Sequence, residues 1–128
     1  MPWTYAQQTG APGNPAGAVI GNGYSGREAG LNNPAMQDVQ DVGPIPVGTW
    51  SIGPAFTHAP AGPVTMRLMP VAGTNTLGRD GFMIHGDTAV HTANPTPDNG
   101  ASHGCVVLAR NLRNQIAASD DRSSIVTA

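Results

Sequence analysis

The chain contains a single cysteine, Cys105, in the stretch ASHGCVVLAR at residues 101–110. A cysteine attacks as the thiolate, and at an ordinary pKa of about 8.5 only a small fraction is ionised at neutral pH. A nucleophilic Cys105 therefore needs a base or a positive neighbour. Three of the four histidines, His85, His91 and His103, fall within the twenty residues before it, and only His58 lies elsewhere. His103 is two positions away, so an extended backbone would put its side chain on the same face as the sulfur. Gly104 places no side chain next to the thiol, which would let a substrate carbonyl approach the backbone N–H groups of Gly104 and Cys105. Donors arranged in this way form an oxyanion hole and contribute about 3–4 kcal/mol to the transition state.

Two other readings use the same residues. Cys105 could be a small apolar side chain continuing Val106, Val107 and Leu108 into a core, since free cysteine is among the most buried residue types. Alternatively, His85, Asp87, His91 and Cys105 are all zinc-competent. Their spacing, His-x-Asp-x-x-x-His followed by one distant Cys, corresponds to no recognised site geometry, and a paired Cys is absent.

The elements that must hold these groups are short. GFMIHGD (81–87) reads as an apolar strand ending on His85, a rigid support for a base. TANPTPDNGAS (92–102) is a polar loop too rich in Pro, Asn and Gly to pack as a core element. LARNLRNQIAA (108–118) predicts a helix with Leu108, Leu112 and Ile116 on one face and Arg110 and Arg113 on the solvated side. GPIPVGTWSIG (43–53) and GPVTMRLMPV (62–71) alternate as half-buried strands, and SSIVT (123–127) suggests a final one. Asn22-Gly23 predicts a hairpin turn. Asn33 and Pro34 suit the N-cap and first position of a short helix. Trp3 and Trp50 read as core or sheet anchors.

Composition agrees with a small, loop-rich, β-rich fold with one or two short helices. The chain has 128 residues, 17 glycines and 12 prolines, without an internal repeat, which predicts one domain over 1–128. A net charge of −2 with 11% charged residues is too low to keep a lean core unfolded. There is no lysine and the six arginines are scattered, which argues against a nucleic-acid or anionic-membrane surface. No apolar run approaches the ~18 residues of a membrane span. MPWTYAQQTGAPG lacks the basic and apolar regions of a signal peptide, so synthesis in the cytoplasm is expected. Among other polar residues, Arg79 in GRDGF offers a planar fork for a peptide carboxylate or a surface pair with Asp80. Tyr24 could line a cleft, and Asp87 could hydrogen-bond near His85.

FMIHGD followed by ASHGCVVL resembles the signature of the L,D-transpeptidases, in which a strand-end His-Gly precedes Ser/Thr-His-Gly-Cys. In order, WTYAQQTG, GNGYSGREAGLNNPAMQ, GPIPVGTW, GPVTMRLMP, GRDGFMIHGD and ASHGCVVL are similar to a compact L,D-transpeptidase-like family of antibacterial effectors. Type VI secretion systems deliver these into the periplasm of rival bacteria. The resemblance implies a curved mixed β-sheet or sandwich. It implies Cys105 as nucleophile, His85 as base, and the Gly86 carbonyl as the group that orients the imidazole. Ser102 and His103 would shape the site, and the Gly104 and Cys105 amides would hold the oxyanion.

The substrate implied is the peptidoglycan tetrapeptide stem, cut or exchanged at its L,D bond, with no cofactor. The partners implied are the type VI secretion apparatus and a cognate immunity protein. Two features depart from the family: Val107 stands where Asn or Arg is common, and the His85-to-Cys105 interval is longer than usual. A non-effector wall enzyme and a catalytically silent peptidoglycan-binding module are the alternatives.

Overall fold

In the computed structural model, residues 2–58, 62–86, 102 and 104–128 are described. Nine strands and one α-helix occur among them: β1 (Trp3–Ala6), β2 (Ala11–Gly13), β3 (Tyr24–Ser25), β4 (Gly48–Ile52), β5 (Phe56–His58), β6 (Gly62–Pro70), β7 (Met83–His85), β8 (Val106–Val107), α1 (Arg110–Ala117) and β9 (Ser123–Thr127). The strands form one mixed sheet in the order β2-β1-β9-β4-β6-β7-β8-β3, with β5 paired to the other end of β6. The pairs β1–β9 and β7–β8 are parallel and the others antiparallel.

Period-two alternation sets the inner face. Trp3 and Tyr5, Trp50 and Ile52, Met66 and Leu68, and Ile84, Val106 and Val126 all point inward and are buried. Trp50 and Phe82 meet edge to face, with ring centroids 5.2 Å apart at 73°. Helix α1 covers this interior with Leu112 and Ile116, one turn apart, and Leu108 enters the core just before it.

The two edges of the sheet nearly meet. Gly23, just before β3, donates its N–H to the carbonyl of Gly10, just before β2, at 2.7 Å. A Cβ on Gly10 would lie 2.0 Å from the Gly23 oxygen, and one on Gly23 would lie 2.1 Å from the Val107 oxygen. Only glycine permits that approach.

Two expectations change here. Asn22-Gly23 makes no hairpin: β3 pairs with β8, some eighty residues later, in the register Tyr24↔Val107 and Ser25↔Val106. Arg113 is not solvated but 2% exposed, and it donates to the carbonyls of Leu108 at 3.0 Å, Pro63 at 2.7 Å and Val64 at 3.3 Å. The short helix expected at Asn33-Pro34 is a single 3₁₀ turn over Pro34–Met36. There the Asn33 side chain accepts the Ala35 N–H at 3.1 Å.

Candidate active site

His85 ends β7, and the parallel register Ile84↔Val106, His85↔Val107 puts it beside Val107 on β8. Stepping that register back one residue sets Cys105 beside Met83. By that register Cys105, Val107, Met83 and His85 fall on the side opposite the core, with Cys105 one diagonal position from His85 across neighbouring chain segments. Ile84 and Val106 point the other way, into the interior. The face is buried at His85, which is 6% exposed, and at Val107 and Tyr24, both fully covered. It is half open at Met83 and Cys105.

His85 Nδ1 lies 2.6 Å from the Gly86 carbonyl oxygen. A carbonyl can only accept, so Nδ1 carries the proton in this contact, and the neutral ring keeps its lone pair on Nε2. Gly86 in turn rests on Arg113: a Cβ there would lie 2.6 Å from one guanidinium nitrogen. The Leu108 N–H donates to the His85 carbonyl at 3.0 Å, tying the same strand end from the other side.

Two buried serines hold the turn that carries Cys105. The Ser102 hydroxyl accepts from Gly26 N at 2.9 Å and Gly104 N at 3.1 Å and donates to the Cys105 carbonyl at 2.5 Å. The Ser25 hydroxyl donates to the Gly104 carbonyl at 2.9 Å and accepts from Ile45 N at 2.8 Å. Ser102 thus uses its one donor and both acceptor positions on backbone. It braces the turn, in keeping with the site-shaping place that the resemblance implied.

Gly104 corrects the sequence reading in two ways. Its N–H is committed to Ser102, so it is not a vacant oxyanion donor in this arrangement. Its missing side chain makes room inside the fold and not for substrate: a Cβ would lie 2.5 Å from Arg79 Nη2 and 2.8 Å from Phe82 Cε1. Its φ of +129° also disfavours any other residue.

Arg79 is neither a surface partner of Asp80 nor an open fork for a carboxylate. It is 4% exposed, lies 5.1 Å from the Phe82 ring centroid, and donates to the carbonyls of Gln37 at 2.6 Å, Pro44 at 2.8 Å and Gly43 at 3.0 Å. This puts a buried cation directly behind the Gly104–Cys105 turn. Tyr24 is likewise fully buried on the strand beside Val107 and lines no open cleft. His103, Asp87 and His91 lie outside the described residues, as does most of the 92–102 loop.

The environment of the sulfur pulls both ways. Burial, the largest effect, pushes the Cys105 thiol above its ordinary value, while the Met83 backbone N–H and the Arg79 guanidinium pull it down. The thiol Sγ lies 3.8 Å from the Gly81 carbonyl. The balance favours a neutral thiol at rest. Among the described residues no three His, Cys, Asp or Glu side chains converge as metal ligands, and no helix is long and apolar enough to cross a membrane.

Sequence reasoning missed Ser25, Met83 and Arg113 as parts of this arrangement. Only Arg113 left a signal, as an arginine three positions before buried Ile116 on the helix, in a chain with few cations. The Tlde1 domain family model matches residues 20–126. No curated protein and no solved structure is significantly similar to the chain.

Proposed function

The chain belongs to the Tlde1 domain family, a family of type VI secretion effectors, and from that premise we propose that it is a cysteine acyl-transfer enzyme acting on peptidoglycan tetrapeptide stems at the L,D bond. The observation that carries the reading is the placement of Cys105 and His85 on one face of adjacent parallel strands, with Nδ1 held on the Gly86 carbonyl. That tautomer leaves Nε2 as the basic atom. It suits a neutral thiol that must lose its proton during attack.

On this reading His85 Nε2 takes the Cys105 proton as Sγ attacks the carbonyl of the third stem residue. A tetrahedral oxyanion forms above the Gly104–Cys105 turn, with the Arg79 charge behind it. The C–N bond then breaks, and the imidazolium gives its proton to the amine of the leaving D-Ala. Water or a free D-amino acid attacks the thioester, His85 removes the proton from that acceptor, and the thiol is regenerated. Water gives carboxypeptidase activity and a D-amino acid gives exchange. The residues supply nucleophile, proton carrier and charge stabilisation without a cofactor. The biology that follows is antibacterial: an effector exported by the type VI apparatus acts in the periplasm of a target cell, and a cognate immunity protein protects the producer.

The test is mass spectrometry of purified tetrapeptide muropeptides incubated with wild type, Cys105→Ala and His85→Ala, each with and without D-methionine and EDTA. Loss or replacement of the fourth D-Ala by wild type alone, indifferent to EDTA, is the expected result. Unchanged muropeptides from a folded, thiol-reactive wild type would overturn the substrate. Activity lost with EDTA would return the zinc reading.

A further inference from the structure

An acidic peptide bound beside Cys105 brings carboxylates that need a cation, and Arg79, the candidate from sequence, is buried under the turn. The register supplies another. Arg67 on β6 pairs with Met83 on β7, and Met83 stands beside Cys105. Arg67, Met83 and Cys105 therefore form one row across three strands on the face opposite the core. Met66 and Leu68, the neighbours of Arg67, point inward and are buried.

This row is open: Arg67 is exposed and Met83 and Cys105 are half-buried. Two strand spacings of ~4.8 Å put the Arg67 and Cys105 backbones about 10 Å apart, within the length of a short extended peptide.

The guanidinium carbon of Arg67 sits 4.9 Å from the centroid of the Phe56 ring on β5. An arginine held over an aromatic ring keeps a fork of N–H donors that can take a carboxylate bidentately. Among the described residues the ion pair is Arg27–Glu28, and no carboxylate neutralises Arg67.

We propose that Arg67, braced on Phe56, is an anion subsite that binds a carboxylate of the peptide substrate at the far end of the open row beginning at Cys105. The proposal rests on the reading of the chain as a stem-peptide acyl transferase. It assigns Arg67 to binding and leaves the bond-breaking steps to Cys105 and His85.

The experiment uses Cys105→Ala, which binds without turnover, and measures its affinity for a synthetic tetrapeptide stem by calorimetry. Adding Arg67→Gln is expected to weaken binding roughly 10-fold or more, with Arg67→Lys retaining part of the affinity. Phe56→Leu, which frees the guanidinium, is expected to give a smaller loss. Stems amidated at the terminal D-Ala carboxylate, or at the carboxylates of the second or third residue, identify the partner. The stem lacking that carboxylate binds weakly and equally to both proteins.

Alkylation of Cys105 by iodoacetamide in otherwise wild-type Arg67→Gln is expected to be unchanged, since the substitution lies two strands away. Affinity indifferent to Arg67 overturns the subsite alone, and so does an equal loss for every amidated stem. A Cys105→Ala protein that binds no stem at all overturns the substrate reading and the subsite with it.

Discussion

The contact between Gly86 and Arg113 can be tested by a double-substitution cycle. Gly86 has no left-handed φ, so alanine costs nothing in backbone conformation. Its penalty comes from the new methyl, which would lie 2.6, 3.0 and 3.3 Å from the Nη2, Cζ and Nη1 atoms of Arg113. The guanidinium cannot swing aside cheaply, because it is 2% exposed and donates to three carbonyls.

Gly86→Ala is therefore an overpacking change of about 1–3 kcal/mol. Arg113→Met removes charge-assisted hydrogen bonds of about 1.5–3 kcal/mol each but also relieves the cost of burying a cation, so a net loss of about 2–4 kcal/mol is expected. Combined, the methyl occupies space the guanidinium has left, and the double variant should be about 1–2 kcal/mol more stable than the sum of the singles predicts. Urea unfolding of the four proteins in a Cys105→Ala background measures this without thiol chemistry. With Cys105 restored, Gly86→Ala should also slow muropeptide turnover, because the carbonyl that holds His85 Nδ1 moves with its α-carbon. Losses that add to within 0.5 kcal/mol would refute the contact as the source of the penalty.

Other expectations follow from the same geometry. Burial raises the Cys105 thiol, so the reactive thiolate appears only as pH climbs past that raised value. Iodoacetamide alkylation of the native protein should rise with pH and reach half its maximum above the ordinary ~8.5, whereas urea-unfolded protein should titrate near it. Arg79→Gln removes a neighbouring positive charge and should move the native midpoint further up, measured in the same assay. Ser102→Ala leaves two N–H groups and one carbonyl without their partner, and a loss of about 3 kcal/mol in urea unfolding is expected. Gly104→Ala combines a positive φ with a clash against Phe82 and Arg79. It should destabilise the protein by at least ~2 kcal/mol and blunt Cys105 alkylation.

The strands that could be read from sequence were Gly48–Ile52 and the long strand Gly62–Pro70, through alternation, Met83–His85, through a short apolar run, and Ser123–Thr127. Local pattern also located α1, through Leu112 and Ile116. The elements that escaped are short and defined by distant partners. Tyr24–Ser25 is two residues long and is a strand only because Val106–Val107 lies alongside it. Trp3–Ala6 has inward Trp3 and Tyr5 but too few residues for a periodic signal.

The site divides in the same way. The nearness of Cys105 to the end of the His85 strand was legible, since Cys105 is the one thiol and His85 ends a clear strand. Which residues brace them was not, because Ser25, Ser102, Arg79 and Arg113 act through backbone carbonyls and amides that carry no side-chain signature. Arg79 misled for that reason: an arginine beside an aspartate looks like a surface pair until three carbonyls are found to surround it.

The pairing of the first strand with the last has a consequence for how the molecule comes into being. β9 lies between β1 and β4, so until Ser123–Thr127 has been made no strand links β1 to β4. Synthesis runs from β1 towards β9, so β1 can pair early with β2 but its other edge stays open until Ser124 and Val126, the partners of Trp3 and Tyr5, have been made. Folding dominated by such distant contacts is slow. A stop codon or proteolytic cut a few residues before Ser123 would leave two exposed strand edges, one on β1 and one on β4, where the sheet should run on.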